Sequence, residues 1–288
     1  MIQHSSLFVF VLGVLFLGLN PDQFTGTNPE SDTLKENRET QIDTFKVMSY
    51  NIRHGRGLDD EVDLRRIADD IRDTNADLIG LQEVDMGVER SYQFDLMSVL
   101  SGYTGLKSVF YKNIPFQGGE YGNAILSRFP IESSRNLHYI MEHEGEQRGL
   151  LQTEVRIGEL TIAFMTTHID YREDDTERLM NVDQMIETKR AYRGMPVLII
   201  GDFNDVPGSN THERMKEYFT DVWEEHGEGD GYTFHAEDPD RRIDYIFYTN
   251  NLVEDDHPAI RPVDIKVIET DASDHLPIIA TFVIEWQE

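Results

Sequence analysis

Short apolar runs that stop on a carboxylate, an amide or an imidazole recur along this chain. Pro196-Val197-Leu198-Ile199-Ile200 runs into Gly201-Asp202-Phe203-Asn204, and Ser273-Asp274-His275 leads into Leu276-Pro277-Ile278-Ile279-Ala280. Runs this short and this apolar read as buried strands, and polar groups at their mouths make poor core material. They make good ligands for a hard divalent cation and good handles for a proton. Between such strands lies helical periodicity. Phe45 to Arg53 reads as a strand broken by Gly55 and Gly57. Leu64, Ile67, Ala68 and Ile71 then recur at helical spacing, and Asp77 to Val84 is a strand again.

Further strands are expected at Gly122 to Ser127, Leu150 to Ile157 and Leu160 to Thr167. The last two form a hairpin about Gly158-Glu159. A helix is expected over Thr176 to Tyr192, burying Leu179, Val182, Met185 and Ile186, and another begins near Ser209 or Asn210. Strands at 243–248, 265–268 and 278–284 complete the reading. No repeat and no second linker divide residues 45–288, so the expectation is one α/β domain with mixed sheets.

The chain has 288 residues, 39% apolar and 28% charged, which is globular composition. Lys and Arg number 26 against 54 Asp and Glu, a net charge of −28. That excess weighs against tight nonspecific binding to nucleic acid, which runs on Lys and Arg against phosphate. Cysteine is absent, which removes disulfides, thiolate zinc sites and a Cys nucleophile. Leu7 to Leu19 is uncharged and apolar, shorter than the roughly 20 residues of a membrane span and like a signal-peptide core. Residues 1–20 are therefore expected to be a signal-like or anchor segment and 21–44 a polar linker. The protein is expected to be exported: periplasmic, secreted or membrane-anchored.

Polar residues at strand ends are Asn51, Glu83, His168, Asp202 and Asn204. Asp244 stands early in its strand, and Asp274-His275 precede the last one. Each alone has a structural reading, as a turn residue, a cap or a hydrogen-bonded histidine. Loops converge and ligands bind at strand ends in α/β sheets, so their joint occurrence points to a site. Other motifs fail. The run from Asp202 puts Val206 and Gly208 at ligand positions of a calcium loop, His138 and Glu142-His143 lack zinc-protease spacing, and no phosphate-binding glycine loop occurs.

Seven motifs stand in one order: Ser49-Tyr50-Asn51-Ile52, Leu81-Gln82-Glu83-Val84, Tyr121 to Arg128, Thr167-His168, Gly201-Asp202-Phe203-Asn204, Arg242-Ile243-Asp244-Tyr245 and Ser273-Asp274-His275-Leu276-Pro277. Across about residues 45–284 the chain resembles the endonuclease/exonuclease/phosphatase superfamily of metal-dependent phosphoesterases. The resemblance implies a four-layered α/β sandwich, two packed mixed β-sheets flanked by helices. It implies Mg²⁺ or Mn²⁺ on Glu83, with Asn51 beside it and Asp274 contributing. Asp202 and Asn204 would orient or deprotonate the attacking water, their i, i+2 spacing on an extended segment placing both on one face. His275 would take the phosphate or act in proton transfer with Asp244 holding its ring, and His168 would donate to a nonbridging oxygen. Arg148, Asn123 and Tyr121 are candidate substrate contacts. Arg148 could equally pair with a nearby Glu.

The expected activity is hydrolysis of a phosphoester by activated water without a covalent intermediate. A small phosphoester, a nucleotide or a phospholipid headgroup is the expected substrate. A nuclease is the alternative, supported by Arg53, Arg56, Arg65, Arg66, Arg128 and Arg148, and a non-catalytic binding protein is the other. Tyr92 to Gly119, with Tyr103, Phe110, Tyr111 and Phe116, and the glycine-rich 227–231 are expected rim loops.

Overall fold

The computed structural model describes residues 44–250 and 258–285. The apolar segment 1–20 and nearly all of the tract 21–44 lie outside the described residues. The strands are β1 Thr44–Asn51, β2 Leu78–Met86, β3 Lys107–Phe116, β4 Gly119–Ser127, β5 Ile131–His138, β6 Gly149–Ile157, β7 Leu160–His168, β8 Val197–Asp202, β9 Thr220–Asp221, β10 Asp244–Thr249, β11 Ala259–Val267 and β12 Ile278–Glu285. The helices are α1 Leu64–Thr74, α2 Leu96–Thr104, α3 Thr176–Lys189, α4 Asn210–Lys216 and α5 Val222–His226.

Two six-stranded sheets result, ordered β11-β12-β1-β2-β4-β3 and β5-β6-β7-β8-β10-β9. Each contains one parallel pair, β1 with β2 and β7 with β8. Those are the pairs joined through a helix, α1 in one sheet and α3 in the other, as a parallel crossover requires. Period-two alternation then sorts the apolar side chains into three layers. Phe45, Val47 and Leu78 face the second sheet and meet Phe164, Leu198 and Ile200 between the sheets. Met48, Tyr50, Ile79 and Leu81 point the other way, onto Ile67 and Ile71 of α1 and Leu96 and Leu100 of α2. Val197 and Ile199 pack under Val182, Met185 and Ile186 of α3 and Met215 of α4. Burying one such side chain contributes about 1.5–3 kcal/mol, so helix–sheet–sheet–helix is the order that satisfies both faces of both sheets. The four-layered α/β sandwich expected from the sequence is the fold.

The sheets approach closely where β2 crosses the second sheet. A Cβ on Gly80 would lie 2.7 Å from Ile200 Cδ1 and 2.7 Å from Thr166 Oγ1, so only glycine fits. Beside it, Gln82 Nε2 donates across the interface to Thr166 Oγ1 at 2.8 Å, giving that buried amide a partner.

The hairpin at Gly158-Glu159 is present, with Ile157 opposite Leu160. The helix expected over 176–192 ends at Lys189 and continues as a 3₁₀ turn, Arg190–Tyr192. Its buried face includes Glu177, Arg178 and Asn181, while Leu179 is only half-buried. Tyr92 to Gly119 is mostly not loop, since it holds α2 and β3. Phe110 and Tyr111 pack against the cores rather than forming a rim. The 227–231 segment contributes to a groove with Trp223, Tyr232 and Lys266, away from the polar strand ends.

Candidate active site

Strand register brings the polar ends together. In the second sheet His168 of β7 stands opposite Asp202 of β8, and Asp202 stands opposite Asp244 of β10. Three neighbouring strands thus bring candidate residues level: β7 and β8 end on His168 and Asp202, and antiparallel β10 begins on Asp244. In the first sheet Asn51 closes β1 opposite Gln82, and Glu83 follows with a left-handed φ of 59° where the β2–β4 pairing shifts register. That irregularity re-aims the carboxylate out of the strand's ordinary alternation. The two sheet ends are tied by Asn51, whose Nδ2 donates to Glu83 Oε1 at 3.2 Å and to Asp202 Oδ2 at 3.0 Å.

The loop before β12 closes the site. Ser273 Oγ donates to the Asn51 carbonyl at 2.7 Å and accepts from the His275 backbone N–H at 3.3 Å, which seats His275 between the sheets. His275 Nδ1 lies 2.9 Å from Asp244 Oδ2. Its Nε2 lies 3.6 Å from Asp202 Oδ2 and 3.5 Å from Asn51 Nδ2. The Asp244 backbone N–H is fixed in turn by Thr233 Oγ1 at 3.3 Å, and the Phe234 ring lies 4.8 Å from the imidazole of His275. His168 Nε2 sits 3.4 Å from Asp202 Oδ2.

These placements set the proton affinities. Burial pushes Asp202 up to about 7, against the pull of His275, and the Asp244 carboxylate adds to the rise. Burial alone would push His275 down, but Asp244 and Asp202 outweigh it and raise the ring to about 10. His168 is held well below its ordinary value by burial and by the positive charges of Arg148 and His275. One imidazolium, one neutral imidazole and one carboxylate near neutrality therefore share a small volume. That set can take a proton from water, hand one on and donate to an anion.

Asn204 differs from expectation. Its φ of 49° is left-handed, so the segment after Asp202 is a turn and not a strand continuation. The Asn204 N–H donates to Asp202 Oδ1 at 2.9 Å, and its Nδ2 donates to the Ile169 carbonyl at 3.1 Å. The turn is anchored by two contacts that the motifs did not indicate. Buried Arg178 donates through Nε to Asp205 Oδ2 at 3.1 Å, and the Tyr245 hydroxyl donates to the Asp205 carbonyl at 2.9 Å.

A cavity of about 610 Å³ opens over this cluster, lined by Glu83, Tyr121, Arg148, His168, Asp202, Asn204, Asp274 and His275. Arg148 is both buried and paired, with Nη1 2.9 Å from Glu146 Oε1 and its guanidinium 5.7 Å from the Tyr171 ring centre. Asn123 lies behind the wall, buried, its Nδ2 donating to the Gly149 carbonyl at 3.1 Å.

Residues 48–275 match the Endonuclease/Exonuclease/phosphatase family. The chain belongs to this family. It is 30% identical over 230 residues to "Uncharacterized protein YbhP" of Escherichia coli K12, covering 74% of this chain and 87% of that protein. Among solved structures it resembles the mannosyl-6-phosphatase Bt3783 of Bacteroides thetaiotaomicron. The TM-score is 0.69 at 17% identity, over 83% of this chain and 99% of that one. Truncated Caenorhabditis elegans TDP2 gives a TM-score of 0.64 at 22% identity, over 83% and 97%. At those identities the structural likeness speaks for the fold. The endonuclease/exonuclease/phosphatase family as a whole hydrolyses phosphoesters and generally uses divalent metals.

The residues present fit such an ion. Glu83 and Asp274 offer hard carboxylate oxygens at the cavity. Burial raises Glu83, and the charge of Asp274 raises it further, a repulsion that a cation would relieve. Asp274 Oδ2 also lies 3.3 Å from Arg53 Nε. Among the described residues, groups of three ligand atoms within 4.8 Å of one another are Asp202, Asp244 and His275, and His212, Asp221 and Glu224. Of the aromatics expected at the rim, Phe116 lines the cavity, while Arg90, Tyr171 and Phe234, which also line it, were not singled out from the sequence.

Proposed function

We propose that this protein is a divalent-metal-dependent hydrolase of phosphoesters in which water attacks phosphorus directly. The observation that supports this most is the level placement of His168, Asp202 and Asp244 on β7, β8 and β10, with His275 hydrogen-bonded to Asp244 and facing Asp202. Asp202, raised to about 7 by burial, accepts a proton from water at Oδ2, and the Asn204 turn keeps its Oδ1 occupied. His275, held protonated by Asp244, presents Nε2–H to the phosphate or to the departing oxygen. Neutral His168 donates to a nonbridging oxygen, and Arg148 supplies a fixed positive charge. Glu83 and Asp274, with Asn51 beside them, would hold Mg²⁺ or Mn²⁺. When bound, such an ion polarises the phosphoryl group and offsets charge in the transition state.

A small phosphoester, a nucleotide or a lipid headgroup suits the site better than a long nucleic acid. Of the arginines that might have tracked a backbone, Arg53, Arg56, Arg66 and Arg128 pair with Asp274, Asp60, Asp59 and Asp77, and Arg65 lies over Tyr103. Only Arg148 of the six lines the cavity. Export through the N-terminal apolar segment is part of the same proposal. The test is release of p-nitrophenol from p-nitrophenyl phosphate and bis-p-nitrophenyl phosphate with Mg²⁺, Mn²⁺ or EDTA. Turnover that depends on the metal is expected. Turnover unaffected by EDTA, or none with either metal, sinks the reading.

A further inference from the structure

The cavity is larger than one phosphate requires, and one stretch of its wall has no part in the hydrolysis. At about 610 Å³ it falls within the roughly 300–1,000 Å³ that accommodates a whole small ligand. Away from the Asp202 cluster, Arg90 lines the wall with Phe116 and Tyr121. Arg90 is held from several sides. Its Nε and Nη2 donate to Asp85 Oδ2 and Oδ1, each at 2.9 Å. Its guanidinium lies 4.7 Å from the Phe116 ring centre and 5.3 Å from that of Tyr121. Asp85 is fully buried and accepts a further bond from Ser91 Oγ at 3.0 Å.

A buried carboxylate with a single cationic partner is a demanding arrangement, since Asp85 without Arg90 would be a buried unpaired charge. Its effect is a guanidinium fixed before any ligand arrives. The fork through Nε and Nη2 leaves Nη1, which makes no hydrogen bond among the described residues, and the side chain stays 29% exposed at the cavity. Arg53 and Arg56 also lie near Arg90, although each is paired with a carboxylate. His54 is buried with Nδ1 unpartnered, and burial, then the charges of Arg90, Arg53 and Arg56, push it down to about 3. Arg148 and Arg241 also line the cavity, and Arg148 lies close enough to His168 to lower its proton affinity.

We infer that Arg90, clamped by Asp85 and set against Phe116 and Tyr121, is a subsite for a second anionic group, so that the substrates are phosphoesters carrying a further phosphate or carboxylate. The inference rests on the hydrolase reading for the chemistry at Asp202, but the binding it predicts can be measured without turnover.

The experiment is calorimetric titration of the full chain in saturating Mg²⁺ with matched non-hydrolysable probes of two to four carbons: alkylphosphonates, α,ω-diphosphonates and ω-phosphonocarboxylates. Charge-assisted contact to a fixed guanidinium predicts that at least one doubly anionic probe binds about tenfold or more tighter than its alkylphosphonate. The diphosphonate leads if the second group is a phosphate, and the phosphonocarboxylate leads if it is a carboxylate. Arg90→Lys, and the pair Arg90→Gln with Asp85→Asn that leaves no buried unpaired charge, should both shrink that preference to within about twofold. Melting temperatures verify that both variants are folded. A wild-type preference near one at every length, or one that survives in both folded variants, overturns the subsite. Turnover of p-nitrophenyl phosphate is measured on the same samples. Intact preference without turnover would remove the hydrolase reading alone, and turnover without preference would remove the subsite alone.

Discussion

Two buried histidine–aspartate pairs are built around β10 of the second sheet, His275 with Asp244 and His212 with Asp221, and in both the closest nitrogen–oxygen distance is 2.9 Å. Asp244 opens β10, and Asp221 belongs to β9, its partner at the sheet edge. The pairs differ in what surrounds them. Around His212 both members of the pair are satisfied: Gly208 N–H donates to Nδ1 at 3.2 Å, and Asp221 also accepts from Arg242 Nη1 and from Trp223 N–H, both at 2.9 Å, which leaves only Nε of the supporting Arg242 unpartnered. Around His275, Asp244 Oδ1 is buried with no partner, and the imidazole faces a second carboxylate at the floor of a cavity. The same side-chain pair has both members satisfied away from the cavity at one place, and a carboxylate oxygen left without a partner at the other. Unsatisfied polar groups beside a cavity are what a binding or reacting molecule completes.

That comparison can be broken at several points. The largest effect is expected from Asp202→Asn. Losing the proton acceptor should lower kcat/KM on p-nitrophenyl phosphate by on the order of 10²–10⁴, with the circular dichroism spectrum unchanged. A loss below about tenfold would remove Asp202 from its role.

Asp221→Ala comes next. It strands the buried charge of Arg242 and should destabilise by about 3–5 kcal/mol in urea unfolding. An effect under 1 kcal/mol would mean that this pair is no structural network.

Acid stability tests the same contrast more finely. Although burial opposes it, His212 and Arg242 hold Asp221 below its ordinary value. A depressed carboxylate adds stability above the unfolded value near 3.8 and loses it as pH falls through its lower folded value. Asp221→Asn should therefore lose its stability deficit relative to wild type progressively as pH falls from 3.8 through the lower folded value of Asp221.

Asp202 has the opposite sign. Raised to about 7 by burial, it binds its proton more tightly folded than unfolded, so it erodes stability as pH rises from about 4 to 7. In EDTA the melting curve of Asp202→Asn should fall less steeply over that window than wild type. Parallel curves would contradict the burial cost assigned to that carboxylate.

The legible parts of the site were those that end apolar strands. Asn51, His168 and Asp202 could be read because a buried strand that stops on a polar group has few structural reasons to do so. The layers were legible for the same reason, in the alternation of Phe45, Val47 and Met48 and in the helical spacing of Leu64 to Ile71. β3 and β5 were not, because they lie at sheet edges, where solvent-facing residues erase the alternation. Phe116, at the end of β3, was read as a rim aromatic, but on a loop and not on a strand. Arg90 was hidden differently: its fixed position depends on a carboxylate five positions earlier that reads in sequence as one more surface acid. Asn204 was read on an extended segment because nothing local announced the Asx turn. Arg178 looked like a polar helix position, but Asp205, a distant residue, gives it a partner that permits burial.

The most direct measurement sets Asp244→Asn against Asp221→Asn, with kcat/KM on p-nitrophenyl phosphate and melting temperature taken on the same preparations in Mg²⁺. If the two pairs divide the work as the structure indicates, Asp244→Asn loses on the order of 10²–10⁴ in kcat/KM with little change in melting temperature. Asp221→Asn would show the reverse, a clear drop in melting temperature and a rate within a few-fold of wild type below its transition. Equal loss of rate in both variants, or full activity in Asp244→Asn, would contradict the account.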